Sequence, residues 1–175
     1  MVLRFAHLVT SQGDAYSGNS QQNYIDLHRS PCYNHNNKVE FEGLYMEKYE
    51  LNDKDKMLIE TALDVLKENF DEGVYNHTVG CAILCKNGAV YKGVNCDGIH
   101  GSCAEYVTIG IAISAGERDF DTIVAVHDKH VNCVIPPCGN CRQMLYEYCP
   151  DIKVIVNDEN GNLIKVKAKD LLPFA

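Results

Sequence analysis

Three cysteines and one glutamate hold the chemistry available to this sequence. Cys138 and Cys141 form a C-x-x-C directly after Pro136 and Pro137, at the start of the helix-like segment GNCRQMLYEYC. Sulfurs in that place meet free backbone N–H groups of a helix N-terminus, which favour the thiolate. A C-x-x-C alone leaves three readings open: a redox dithiol, half of a four-cysteine structural zinc site, or two legs of a three-legged catalytic zinc site. A structural zinc closes its tetrahedron with four protein ligands, usually a second close pair. No such pair is present. Cys81 and Cys85 alternate along a strand-like run, face one side of a sheet and read as small apolar core residues, while Cys96 and Cys103 stand seven apart.

What does occur is Cys103-Ala104-Glu105 at another helix start. Side chains two apart on a helix diverge by about 200° in its middle and converge only at a capped end. Three thiolates leave zinc one open position for water, and a neighbouring carboxylate can take that water's proton and pass it to a substrate. Glu105 is therefore expected not to ligate. Cys or His followed by x-Glu, then Pro-Cys-x-x-Cys, is the pattern of zinc enzymes that replace a ring amine by a carbonyl. Zinc held by three thiolates carries net negative charge, which makes its water less acidic. Two helix N-termini offset it, and Arg142 either donates to a sulfur or is a surface cation of its helix.

Around these residues the chain has regular signals. Asn52 reads as the N-cap of a helix of about five turns, with Met57, Ile59, Ala62, Leu63, Leu66 and Phe70 on one face. VGCAILCK and AVYKGVN flank Asn87-Gly88, which supplies the positive φ angles of a tight hairpin turn. A helix runs from about Cys103 to Gly116, DTIVAVHD reads as a strand, and the second cysteine-led helix ends at Pro150. KVIVND and NLIKVK, joined by a turn at Glu159-Asn160-Gly161, add two strands before a terminal turn at KDLLP. The order α-β-β-α-β-α-β-β predicts an α/β domain, a mixed sheet covered by helices on both faces.

Residues 1–45 differ: the stretch is rich in Ser, Asn, Gln and Gly without periodicity and is expected to be a loosely ordered extension, leaving 46–175 as the domain proper. His28, Cys32 and His35 lie there without an evident fourth ligand. With 16 basic and 24 acidic residues the net charge of -8 repels a polyphosphate, so nucleic acid is not the expected partner. No stretch approaches the roughly 20 apolar residues of a membrane span, and MVLRFAHLV is broken by Arg4 and His7 where a signal peptide needs an apolar run. A cytoplasmic protein with reduced thiols, its nine cysteines odd in number, is the expectation.

At these residues the chain resembles the cytidine deaminase family, in particular the small zinc enzymes acting on free nucleosides, cytidine deaminase and blasticidin-S deaminase. The likeness runs over about residues 53–173 and rests on Gly93-Val94-Asn95, Cys103-Ala104-Glu105, Pro137-Cys138-Gly139, Cys141-Arg142-Gln143 and Leu171-Leu172-Pro173. It implies a three-layer α/β/α fold with a five-stranded mixed sheet, one zinc per subunit, and a homo-oligomer, commonly a tetramer whose sites borrow residues from neighbours. By position, Cys103, Cys138 and Cys141 resemble the zinc ligands and Glu105 the proton shuttle. Asn95 matches the asparagine holding a ribose hydroxyl, and Ala104 the residue whose backbone N–H serves the pyrimidine carbonyl. The family's Asn-x-Glu is here Asn95-Cys96-Asp97, one methylene shorter. Tyr106 stands where cytidine deaminases tend to place Arg, and blasticidin-S deaminases also lack that Arg.

The resemblance implies hydrolytic deamination of a free cytosine-type nucleoside, cytidine or deoxycytidine, in pyrimidine salvage, with a blasticidin-S-like aminonucleoside as the alternative. A polynucleotide deaminase and a non-catalytic zinc module are the other classes. Phe174 caps a base or docks on the core. Cys133 and Cys149 are expected to pack or lie at the surface, and His77, His100, His127 and His130 to be satisfied by hydrogen bonds, with His100 nearest a ligand.

Overall fold

The computed structural model describes residues 46–127 and 133–172. The expectations for 1–45, His28, Cys32, His35, His130 and Phe174 lie outside them. α1 (Asp53–Asn69) begins with a reciprocal cap: the Asn52 side chain accepts from Lys54 N and Asp55 N, and Asp55 Oδ2 accepts from Asn52 N at 2.7 Å. The helix faces the sheet with Leu58, Ala62, Val65 and Leu66, whereas Met57 is 65% exposed and Phe70 40%. Ala62 and Leu66 of the expected face are buried and Ile59 and Leu63 pack partly against the core, while Leu58 and Val65 take the places expected of Met57 and Phe70. At Gly80 helix and strand lie so close that a Cβ would meet the Ala62 carbonyl and stand 2.8 Å from Leu66 Cβ.

β1 (Gly80–Cys85) and β2 (Val90–Val94) form the expected hairpin. Its turn differs from the two-residue form, since Gly88 alone has a positive φ, +91°. Gly88 N donates to Cys85 O, Cys85 N to Ala89 O, and Asn87 Oδ1 accepts from Ala89 N. Asn87 acts through its side chain rather than its backbone conformation.

α2 (Ala104–Ser114), β3 (Phe120–Val126), β4 (Val134–Ile135), α3 (Gly139–Tyr148), β5 (Lys153–Asn157), β6 (Leu163–Lys167) and a 3-10 turn (Ala168–Leu171) complete the described chain. The sheet runs β2-β1-β3-β5-β6 with β4 paired to β3. The five expected strands form this path, and β4, two residues long, is too short to show periodicity. All pairs are antiparallel except β3 with β5, whose connection passes through β4 and α3. Alternation along β1 sends Cys81, Ile83 and Cys85 to the α2–α3 side and Ala82 to the α1 side, giving two apolar cores and three layers. Cys81 and Cys85 are the core residues their spacing predicts. Lys165 of β6 reaches Asp55 of α1 at 2.6 Å, a pair almost wholly buried.

Candidate active site

Cys103 is the N-cap of α2, with extended backbone (φ -60°, ψ 156°), and Cys138 is the N-cap of α3 (φ -65°, ψ 169°). Pro137 before Cys138 disfavours helix for its predecessor and so helps fix where α3 can begin. Cys141 lies in the first turn of α3 and is fully buried. The sulfurs of Cys103, Cys138 and Cys141 all lie within 4.8 Å of one another, with Cys103 Sγ and Cys138 Sγ 3.6 Å apart. Among the described residues no fourth Cys, His, Asp or Glu joins the group. Three soft donors converging from two helix N-termini suit zinc and leave one tetrahedral corner for a non-protein ligand.

Burial raises the thiols of Cys103 and Cys141 above the ordinary cysteine value. Cys138 departs from them. Burial pushes it up as well, but the backbone N–H of Cys141, the two neighbouring thiols and the N–H of Asn140 outweigh this and leave it below the ordinary value. It is the thiolate favoured by the helix terminus. Glu105, in the first turn of α2, is 5% exposed, and burial raises its carboxyl against the opposing pull of its own backbone N–H and the Cys141 thiol. A carboxyl so placed, outside the sulfur group but within reach of Cys141, is poised to exchange protons.

A cavity of about 560 Å³ opens beside the sulfurs. Asn95, Asp97, Ala104, Glu105, Cys103 and Cys138 all line it. Ala104 is the first residue of α2, so its backbone N–H is one of the first four, which have no intrahelical partner. The loop from Cys96 to Ser102 is pinched at its ends, with Cys96 N donating to Ser102 O and Ser102 N to Cys96 O, and Gly98 takes φ +148°. This keeps Asp97 at the cavity wall. Aliphatic faces come from Val79, Ile99, Ile135 and Pro136, of which only Pro136 stood beside a sequence motif.

One expectation needs correction. Arg142 does not donate to a sulfur: its Nε donates to Pro137 O at 2.9 Å and its Nη1 to Leu171 O at 3.4 Å. A guanidinium half-buried among carbonyl groups satisfies them first, so Arg142 fastens the peptide leading into Cys138 to the C-terminal turn. His100 is exposed and is not part of the cavity wall, although it is three residues from Cys103. Tyr106, in place of the family's Arg, donates to Asn140 Oδ1 at 3.3 Å and links the starts of α2 and α3. Cys133 and Cys149 are half-buried and pack against the cores.

Residues 52–157 match the family model described as "Cytidine and deoxycytidylate deaminase zinc-binding region". The chain belongs to this deaminase family. It is 34% identical over 139 residues to a blasticidin-S deaminase from Bacillus cereus, covering 74% of this chain and 96% of that one. A cytidine deaminase from Halalkalibacterium halodurans is 36% identical over 128 residues, covering 69% and 92%. The crystal structure of cytidine deaminase from Burkholderia pseudomallei superposes with a TM-score of 0.58 at 32% identity, covering 69% of this chain and 97% of that one. Family membership and the three-sulfur group make the protein a zinc-dependent hydrolytic deaminase acting on nucleosides. No helix among the described residues is long and apolar enough to cross a membrane.

Proposed function

We propose that the protein hydrolyses the ring amine of a free cytosine-type nucleoside, cytidine or deoxycytidine, rather than that of a 5′-monophosphate. The charge of the cavity carries this reading. Its charged side chains among the described residues are Asp97 and Glu105, with no Lys or Arg. A phosphate dianion there would lose water and meet two carboxylates without a basic side chain to pair with, a costly arrangement at low dielectric. No aromatic ring lines the cavity among those residues either, and a single nucleic-acid strand needs both cations and stacking platforms.

In this reading Cys103, Cys138 and Cys141 hold zinc. When bound, zinc supplies the Lewis acidity that activates water for attack at neutral pH. Glu105 takes a proton from the attacking water and delivers it to the ring nitrogen as the oxygen bonds to the amine-bearing carbon; the second water proton passes to the amino group, so that the carbon–nitrogen bond breaks, ammonia leaves and a carbonyl remains. Burial keeps the carboxyl basic enough to accept that proton. Ala104 N–H meets the pyrimidine carbonyl, and Asn95 with Asp97 meets a sugar hydroxyl. The aliphatic wall of Val79, Ile135 and Pro136 excludes solvent from the faces of the base. A homo-oligomer working in the cytoplasm belongs to the same reading.

Ammonia release from cytidine, deoxycytidine, deoxycytidine 5′-monophosphate, adenosine and blasticidin S tests it. Turnover of the first two, with the monophosphate inert, is the expected result; preference for the monophosphate would refute it. Glu105→Gln should keep zinc and lose about 10²- to 10⁴-fold in kcat. A second reading, a blasticidin-S-like aminonucleoside as substrate, is favoured by the Bacillus cereus relative, which matches 74% of the chain against 69% for the Halalkalibacterium halodurans cytidine deaminase. The blasticidin S arm of the panel decides between them.

A further inference from the structure

We propose that Asn76 is a positioning residue: it fixes Asn95 as a donor and Asp97 as an acceptor, so that the pair reads a single hydroxyl able both to accept and to donate. This rests on the reading above that Asn95 and Asp97 face the sugar.

The network leaves little freedom. Asn95 Oδ1 accepts from Thr78 N and Val79 N, each at 2.9 Å, which uses both of its lone pairs. Asn95 Nδ2 donates one hydrogen to Asn76 O at 2.7 Å, and one remains for a ligand. The two backbone donors on one side and the carbonyl on the other also decide which end of the amide is oxygen. Asn95 is held by its main chain as well, its N donating to Val79 O at 3.1 Å and its O lying 2.7 Å from His77 Nδ1. Toward the cavity it can only donate.

Asp97 is the complement. Its Oδ1 accepts from Gly98 N at 2.9 Å and its Oδ2 from Asn76 Nδ2 at 3.0 Å, leaving lone pairs on both oxygens. Asn76 serves both partners at once because its φ is +53°. In that left-handed conformation its carbonyl turns to Asn95 while its side chain reaches Asp97. Asparagine tolerates this region better than other residues with a Cβ. A hydroxyl placed between the pair accepts from Asn95 and donates to Asp97. A group that can only accept, or one that is absent, leaves a polar partner unmet and is rejected for that reason.

The test compares deoxycytidine with 2′,3′-dideoxycytidine in the zinc-loaded protein. Asn76→Gly keeps the positive φ and the carbonyl for Asn95 but deletes the bond to Asp97. It should raise KM for deoxycytidine about threefold to tenfold, the worth of one hydrogen bond, with kcat within about twofold of the parent. KM for the dideoxy compound should stay within about twofold of the parent, so the preference between the two contracts. Asn76→Ala should lose further on both compounds equally, because a Cβ resists that φ. A Gly variant that keeps the parental preference, or weakens both compounds alike, overturns the proposal. Asp97→Ala separates the two levels of the argument. If it also keeps the parental preference, the sugar-site reading has failed. If it abolishes the preference while Asn76→Gly does not, only the role of Asn76 has.

Discussion

A single methyl group at Gly80 probes how closely α1 lies on the sheet beside the active site. A Cβ there would meet the Ala62 carbonyl oxygen and stand 2.8 Å from Leu66 Cβ and 3.3 Å from Leu66 N. Two of these neighbours are backbone atoms, which cannot rotate aside, so the helix itself must lift. Overpacking of this kind costs roughly 1–3 kcal/mol, and about 2 kcal/mol is a fair centre for one methyl against backbone. With an unfolding entropy of about 2.1 cal/mol/K per residue over the 122 described residues, that corresponds to a fall in Tm of about 8 °C. Gly93→Ala is the control. There the new Cβ lies 3.0 Å from Thr108 Oγ1 and 3.1 Å from Val107 Cγ1, contacts tight by a few tenths of an ångström and none of them with backbone. Its cost should stay below about 1 kcal/mol, about 4 °C. Thermal melts of the two zinc-loaded variants against the parent decide. A Gly80→Ala protein melting within about 2 °C of the parent, or no lower than Gly93→Ala, would refute the close approach.

Mass-spectrometric mapping of alkylated thiols should find Cys96 modified rapidly in the zinc-loaded protein, and Cys103 and Cys138 only after a chelator removes the metal. Cys81, Cys85 and Cys141 should stay protected by burial, and Cys149, its thiol pushed up to about 12 by burial, should react slowly at neutral pH. Lys165→Met strands Asp55 as a lone buried charge and should cost about 3–5 kcal/mol in urea unfolding, with Asp55→Asn added to it restoring part. Arg142→Met frees the Pro137 and Leu171 carbonyls and should weaken zinc retention about tenfold in chelator competition, as supporting shells of metal sites do. Asp158 accepts from Asn162 N and Asn160 N, which hold its carboxyl below the usual range. Its stabilising share is present above the unfolded carboxyl value, near pH 4, and fades as pH falls through the folded one. The stability gap between parent and Asp158→Asn should therefore close in acid unfolding curves below that pH.

The elements and the sulfur group were legible in the sequence for physical reasons. Both ligand-bearing helices begin at a cysteine that cannot be missed beside a glutamate or a proline, and β1 and β5 are short continuous apolar runs, paired with β2 and β6 across evident turn residues. The parts that were not legible depend on contacts between distant segments. Nothing in the spacing of α1 separates Leu58 and Val65, which are buried, from Met57 and Phe70, which are exposed. Arg142 looks the same in sequence whether it meets sulfur or carbonyl oxygen. Asn76, exposed and in an irregular segment, gives no periodic or motif signal; only the fold brings its amide to Asp97, 21 residues on.

Cys103 and Cys138 are 35 positions apart, with β3 and β4 between them. A metal ion joining them is therefore a cross-link as well as a reagent. In the folded chain that loop is already closed by packing, so the ion meets its ligands without the roughly 4 kcal/mol of loop-closure entropy that gathering them from the unfolded chain would cost. By mass action the folded population then tracks the concentration of free ion. Scarcity would erode endurance and turnover together, so a cell starved of zinc would lose the protein itself and not only its activity.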